Sequence, residues 1–154
     1  KWRNQFFILD ILEYLAKLDK NIIILDSDVI TKSNKKLDLR KREVLAYILS
    51  DDQDEIINGI KVSELSKLFE KLSGEKSSRG IGYLGGEFLA ISGNSLRKFH
   101  QLSESYYSKN WEFAVNGETF FREEAHLFSI VSAHFKLDVR GDQVISRIWT
   151  QPWT

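Results

Sequence analysis

The sequence predicts an α/β fold, a mixed central sheet flanked by helices, on three observations. The run Asn21-Ile22-Ile23-Ile24-Leu25-Asp26 is β-branched and lacks alternation, as expected of a strand covered on both faces. Tyr83-Leu84 leads into a second strand-like run, Gly85-Gly86-Glu87-Phe88-Leu89-Ala90-Ile91, entered through paired glycines. Between and after these runs lie segments whose apolar residues recur at helical spacing.

At 154 residues and 42% hydrophobic content, the chain is expected to bury one core, so residues 1–154 read as a single domain segment. Basic and acidic residues cancel at 22 each, and no stretch concentrates one sign. That balance argues against a polyanion partner, nucleic acid included. Cysteine is absent, which removes disulfides, thiolate catalysis and cysteine-rich zinc sites and is compatible with a reducing interior. The longest apolar run, Ile22 to Leu25, is far short of the roughly 20 residues of a membrane span, and no signal-peptide pattern opens the chain. A soluble piece is expected. Lys1 falls inside an amphipathic pattern, methionine is absent and Trp153-Thr154 follows an apparent strand, so the segment reads as part of a longer protein.

Taken in order, Phe7, Ile11, Tyr14, Leu15 and Leu18 outline a first helix, closed by Asp19-Lys20-Asn21. The isoleucine strand follows and ends in acid. Val44 to Leu49 fits either helix or strand by periodicity, and the polar Asp51-Asp52-Gln53-Asp54 behind it favours a strand. Leu65, Leu68, Phe69 and Leu72 mark a helix begun near Ser63 and ended by Ser73-Gly74. Gly74 to Gly82 is linker-like. After the glycine-entered strand, Asn94 is placed to cap a helix with Leu96, Phe99, Leu102 and Tyr106 on one face. A last helix from about Glu123 turns Leu127, Ile130, Val131 and Phe135 inward, and Val144 to Trp149 reads as a final strand carrying Arg147.

Asp26-Ser27-Asp28 is the main chemical signal, because it stands at the carboxyl end of a buried strand, where open α/β sheets bind ligands. Carboxylate oxygens suit Mg²⁺ or Mn²⁺, which keep few protein ligands beside water and phosphate oxygens. An equally physical account makes the two aspartates a turn. Gly85 and Gly86 permit close approach of backbone or substrate, or form a bulge. Glu123 and Glu124 suit a helix start through the macrodipole. On that helix His126 points about 200° from Glu124, so it reads as structural. Trp111, Phe113, Phe120 and Phe121 fit a core better than a sugar platform. Arg147 reaches a phosphate only if the last strand borders the site.

Leu25-Asp26-Ser27-Asp28-Val29 resembles the D-x-D segment of metal-dependent GT-A glycosyltransferases, which follows a hydrophobic strand preceded by a helix. Tyr83-Leu84-Gly85-Gly86-Glu87-Phe88 and Arg122-Glu123-Glu124-Ala125-His126-Leu127 add a weaker resemblance to the retaining blood-group-type galactosyl- and N-acetylgalactosaminyltransferases. In that pattern Gly85, Gly86, Phe88, Glu124, His126 and Leu127 match, while Arg122, Glu123 and Ala125 replace histidine, aspartate and serine. The resemblance implies the carboxyl-terminal part of a GT-A catalytic domain without its amino-terminal nucleotide-binding strands. It implies a sugar transferred from a nucleotide-diphosphate sugar, UDP-sugar favoured, to a glycan or lipid-linked acceptor, as in polysaccharide biosynthesis. Asp28 and Asp26 would hold Mn²⁺ or Mg²⁺ and the donor's phosphates, and Glu124 would be the catalytic carboxylate. Glu87 is a second catalytic candidate, through acceptor contact; Gly85, Gly86, Glu123 and His126 would line the substrate. A cytoplasmic location follows, with any membrane association resting on regions outside this segment.

Three other functions compete. A GT-A-like scaffold without catalysis fits the same residues. A metal-dependent phosphohydrolase also places acids after a strand. Ile60 to Leu72 weakly resembles the opening helix of a winged helix-turn-helix, but a basic recognition helix does not follow.

Overall fold

The computed structural model describes residues 6–32, 37–39, 42–77 and 80–147. In chain order the elements are α1 (Ile8–Leu15), β1 (Ile22–Leu25), β2 (Val29–Thr31), β3 (Val44–Ser50), β4 (Ile56–Ile57), β5 (Ile60–Lys61), α2 (Val62–Ser73), β6 (Tyr83–Ile91), α3 (Gly93–Val115), α4 (Glu124–Ser132), β7 (Leu137–Asp138) and β8 (Ile145–Arg147), with a 3-10 turn over Gly141–Gln143. A four-stranded sheet has the order β1-β6-β3-β7. Strand β6 is antiparallel to β1 and β3, and β7 is parallel to β3, so the sheet is mixed. Two ribbons, β2-β8 and β4-β5, stand apart from it.

Side-chain alternation divides the core between the two faces of the sheet. Ile22, Val44, Ala46, Leu89 and Ile91 pack with the four helices, whereas Leu45, Phe88 and Ala90 pack against Leu39 and Ile145 on the side of the β2-β8 ribbon. Nearly every residue of α4 is buried, since it lies on β6 and is itself covered by α2 and α3. Asn110 ties α3 to the chain before α4, donating to the Phe121 carbonyl at 2.9 Å and accepting from its N–H at 2.7 Å. Among the described residues, no helix is long and apolar enough to cross a membrane.

The helix and strand assignments hold, with local differences that have physical causes. In α1 the buried residues are Ile8, Leu9 and Leu12, while Phe7, Ile11, Tyr14 and Leu18 are exposed. Both stripes are apolar at helical spacing, so periodicity alone does not choose the inner one. Among the described residues strand β1 pairs only with β6, and Ile23 and Leu25 are 53% and 47% exposed, so there it is an edge strand and not one covered on both faces. Helix α2 starts at Val62, one residue before Ser63, and ends at Gly74 in the left-handed conformation, φ 76°. Ser92, not Asn94, is the N-cap of α3, its carbonyl accepting from Ser95 and Leu96 at 3.0 Å. Phe135 is buried but lies beyond the end of α4. Phe121 is core and Trp111 is 53% exposed, so the aromatic group divides. The last strand is described as Ile145–Arg147, and Trp149 lies outside the described residues.

Candidate functional site

Asp26, Ser27 and Asp28 form the link from β1 to β2, so the D-x-D segment leaves the main sheet and enters the ribbon. The Asp26 N–H donates to the Glu87 carbonyl at 3.1 Å, which extends the β1-β6 pairing by one step and sets Asp26 beside Glu87. Asp26 is exposed and its Oδ1 accepts from the N–H of the next residue, Ser27, at 2.6 Å. Asp28 is half-buried, and its Oδ1 is buried without a hydrogen-bond partner.

The paired glycines sit where β6 loses register with β3. Ala46 faces Leu89 and Ile48 faces Leu84, so Gly85-Gly86-Glu87 is extra length on β6 and bulges. The bulge turns Glu87 toward β8, where Arg147 Nη2 donates to Glu87 Oε1 at 2.7 Å. Glu87 is 7% exposed, and a Cβ on Gly85 would overlap its Oε2. Gly86 differs: a Cβ there meets nothing within 4 Å.

The two acids at the start of α4 have separate environments. Glu123, the N-cap, accepts from Asn58 Nδ2 at 2.7 Å and from the Tyr83 hydroxyl, and His126 Nδ1 lies 3.7 Å away. Burial, with the Glu123 carboxylate, raises the Tyr83 pKa and keeps that hydroxyl protonated. His126 is 1% exposed, its Nε2 is 3.2 Å from the Ile57 carbonyl, and burial lowers its pKa, so the ring is held neutral inside the wall. Glu124 makes no ion pair among the described residues. Burial raises its pKa, and the neighbouring carboxylates of Glu123 and Asp26 raise it further, against a lowering by its own backbone N–H. Asp26, distant in sequence, contributes the smallest share of that upward push.

Asp26 and Glu87 thus stand side by side across β1 and β6, with Gly85 and Gly86 in the same bulge and Asp28 at the entry to the β2-β8 ribbon, while Glu123 is joined to β6 through Tyr83. His126 is on the buried side of that wall, away from Glu124 as the helical period predicts. Arg122 is exposed, near Gly59, with its guanidinium carbon 5.6 Å from the Phe120 ring centroid. Two members of the wall, Asn58 and Tyr83, have weaker sequence signals. Asn58-Gly59 does carry the two-residue hairpin signature, with φ of 48° and 81°, between Ile57 and Ile60. Tyr83 carries no local signal for its bond to Glu123.

For a divalent cation, the fitting observation is Asp28, whose buried oxygen lacks a partner next to the exposed Asp26. Few protein ligands suit Mg²⁺ or Mn²⁺, which complete their shells with water and phosphate. Among the described residues, no three histidine, aspartate or glutamate side chains form a ready-made metal cage. Three open pockets of about 410–440 Å³ among the described residues lie elsewhere, one of them beside Arg122 and Glu118. Comparison of the chain with models of known families and with curated proteins finds no match.

Proposed function

We propose that this chain carries the metal and acceptor part of a glycosyltransferase site, acting on a nucleotide-diphosphate sugar, with UDP-sugar favoured. One observation supports it above the others: Glu124, at the start of α4, is a carboxyl whose burial raises its proton affinity and which has no ion-pair partner among the described residues. A carboxylate meant to take a proton, or to stand under developing positive charge, needs such freedom. Glu123 is instead held by Asn58 and Tyr83, which leaves Glu124 as the reacting acid.

In this mechanism Asp28 and Asp26 hold the donor's cation and phosphates at the end of β1. When bound there, Mn²⁺ or Mg²⁺ supplies Lewis-acid neutralisation of charge on the departing diphosphate. Glu124 faces the sugar, as nucleophile or stabilising carboxylate in a retaining reaction, or as base toward the acceptor hydroxyl in an inverting one. Gly86 leaves open space at the bulge for substrate. The free edge of β1, with Ile23 and Leu25 half exposed, suits pairing with a further strand, the place expected for the base- and ribose-binding region. The acceptor is a glycan or a lipid-linked glycan.

Calorimetric titration with UDP, with and without Mn²⁺, tests the proposal. Metal-dependent binding that is lost in Asp28→Ala and weakened in Asp26→Ala is the expected result. Unchanged binding and turnover in both variants removes these residues from the mechanism. Absence of binding to UDP, GDP and CDP shifts the assignment to an inactive scaffold or a phosphohydrolase.

A further inference from the structure

The ion pair between Glu87 and Arg147 is unlike a structural salt bridge in one respect. Its side chains are 9% and 20% exposed, and a pair withdrawn from water this far normally uses its remaining donors and acceptors as well. Here Arg147 Nη2 reaches Glu87 Oε1 at 2.7 Å, but Arg147 Nε and Glu87 Oε2 are both buried without partners. A fork-to-fork pair would join those two atoms to each other. Instead Oε2 turns into the space that a Cβ on Gly85 would fill, and Nε is left without an acceptor.

A third orphan belongs to the same region. Val29 lies opposite Arg147 in the β2-β8 ribbon, so Asp28 enters the ribbon beside the residue that carries the guanidinium, and Asp28 Oδ1 is also buried and unpartnered. Glu87 is tied to the strand end by its carbonyl, which accepts from Asp26. A buried N–H without an acceptor suits an oxyanion, and an unpartnered carboxylate oxygen at the start of the paired strand suits a cation. A phosphate bound together with a divalent ion meets both needs.

We propose that Arg147, held in place by Glu87, is the phosphate-binding residue of this site, donating from its unpartnered Nε–H to the diphosphate of the nucleotide whose cation Asp28 holds. The assignment rests on the nucleotide-sugar function proposed above. It makes Glu87 a positioning residue, because one of its oxygens is committed to Arg147. Arginine is required at 147, since its planar fork serves Glu87 and a phosphate at once, whereas lysine offers a single ammonium.

Titration of the protein with UDP in the presence of Mn²⁺ tests the inference, alongside Mn²⁺ alone and inorganic pyrophosphate alone. Arg147→Gln is expected to weaken UDP binding by about tenfold or more, the scale of one charge-assisted hydrogen bond, with Mn²⁺ affinity unchanged. Arg147→Lys keeps the charge opposite Glu87 and serves as the second variant if Arg147→Gln melts early; it should also lose affinity while keeping its melting temperature. Glu87→Ala should weaken UDP binding as Arg147→Gln does, and Glu87→Gln, which still offers Nη2 an oxygen, should restore most of it. Wild-type affinity in Arg147→Gln or in a folded Arg147→Lys overturns the phosphate role, and wild-type affinity in Glu87→Ala overturns the positioning role. If the wild-type protein binds no nucleotide, pyrophosphate decides: binding that Arg147→Gln abolishes keeps Arg147 as an anion site without the nucleotide function, and no binding overturns both.

Discussion

At the scale of single residues, the neighbouring glycines and neighbouring glutamates divide their work. Gly85 lies against the Glu87 carboxylate and 3.2 Å, measured from an ideal Cβ, from the Tyr47 ring, while the same construction at Gly86 meets nothing. Gly86→Ala should therefore leave stability within about 0.5 kcal/mol of wild type. If the bulge admits substrate, as proposed, the added methyl raises the donor or acceptor KM with no change in melting temperature; unchanged kinetics would mean that Gly86 is only part of the bulge. Glu124→Gln should keep UDP binding and lose about 10²–10⁴-fold in transfer rate, the range for a positioned acid or base. A fully active Glu124→Gln protein assigns Glu124 to the helix start alone.

At the scale of elements, the short β4-β5 hairpin holds Glu123, the residue that opens α4. Its turn places Asn58 in a left-handed conformation, φ 48°, and points its amide at Glu123. Asn58→Ala removes a residue type that tolerates that conformation and a hydrogen bond to a carboxylate, so a loss of about 2 kcal/mol in urea unfolding is expected. The loss should be smaller in a Glu123→Gln background, where the bond is no longer charge-assisted, and a double-mutant cycle measures that coupling. Helix α2 is followed by a loop and strand β6 and not by a second helix, which leaves the helix-turn-helix resemblance without its recognition element.

At the scale of the whole molecule, the end of β7 is fixed by charge, through Asp138 and two arginines from separate segments. Asp138 meets Arg42 Nε at 2.9 Å and Arg140 Nη2 at 2.7 Å. The Arg140 side-chain hydrogen bonds are the main reason its pKa is pushed down to about 2, from an ordinary 3.8. A lowered folded-state pKa contributes stability that is present above the unfolded value and lost as pH falls from about 4 toward 2. Asp138→Asn should cost about 1 kcal/mol at pH 7, the scale of a pair that water still screens. The difference between variant and wild type should shrink below pH 4 in acid titrations of stability; a difference independent of pH would assign the effect to packing.

Much of this architecture was legible in the amino-acid order because local signals and tertiary demands agree there. The apolar periodicity of α2, α3 and α4, the β-branched run of β1, the paired glycines of β6 and the acids at 26, 28, 123 and 124 each mark their own element. The Asn58-Gly59 pair carries a hairpin signature too short to stand out between Asp54 and the α2 periodicity, and nothing local marks its bond to Glu123. Tertiary structure alone decided the rest. In α1 two apolar stripes compete, and only packing against α3 selects Ile8, Leu9 and Leu12 for the core. The turn of Glu87 toward Arg147 and the hold of Asn58 and Tyr83 on Glu123 join residues far apart in sequence. Periodicity reports which face of one element is apolar; it carries no information about which element that face, or a carboxylate beside it, will meet.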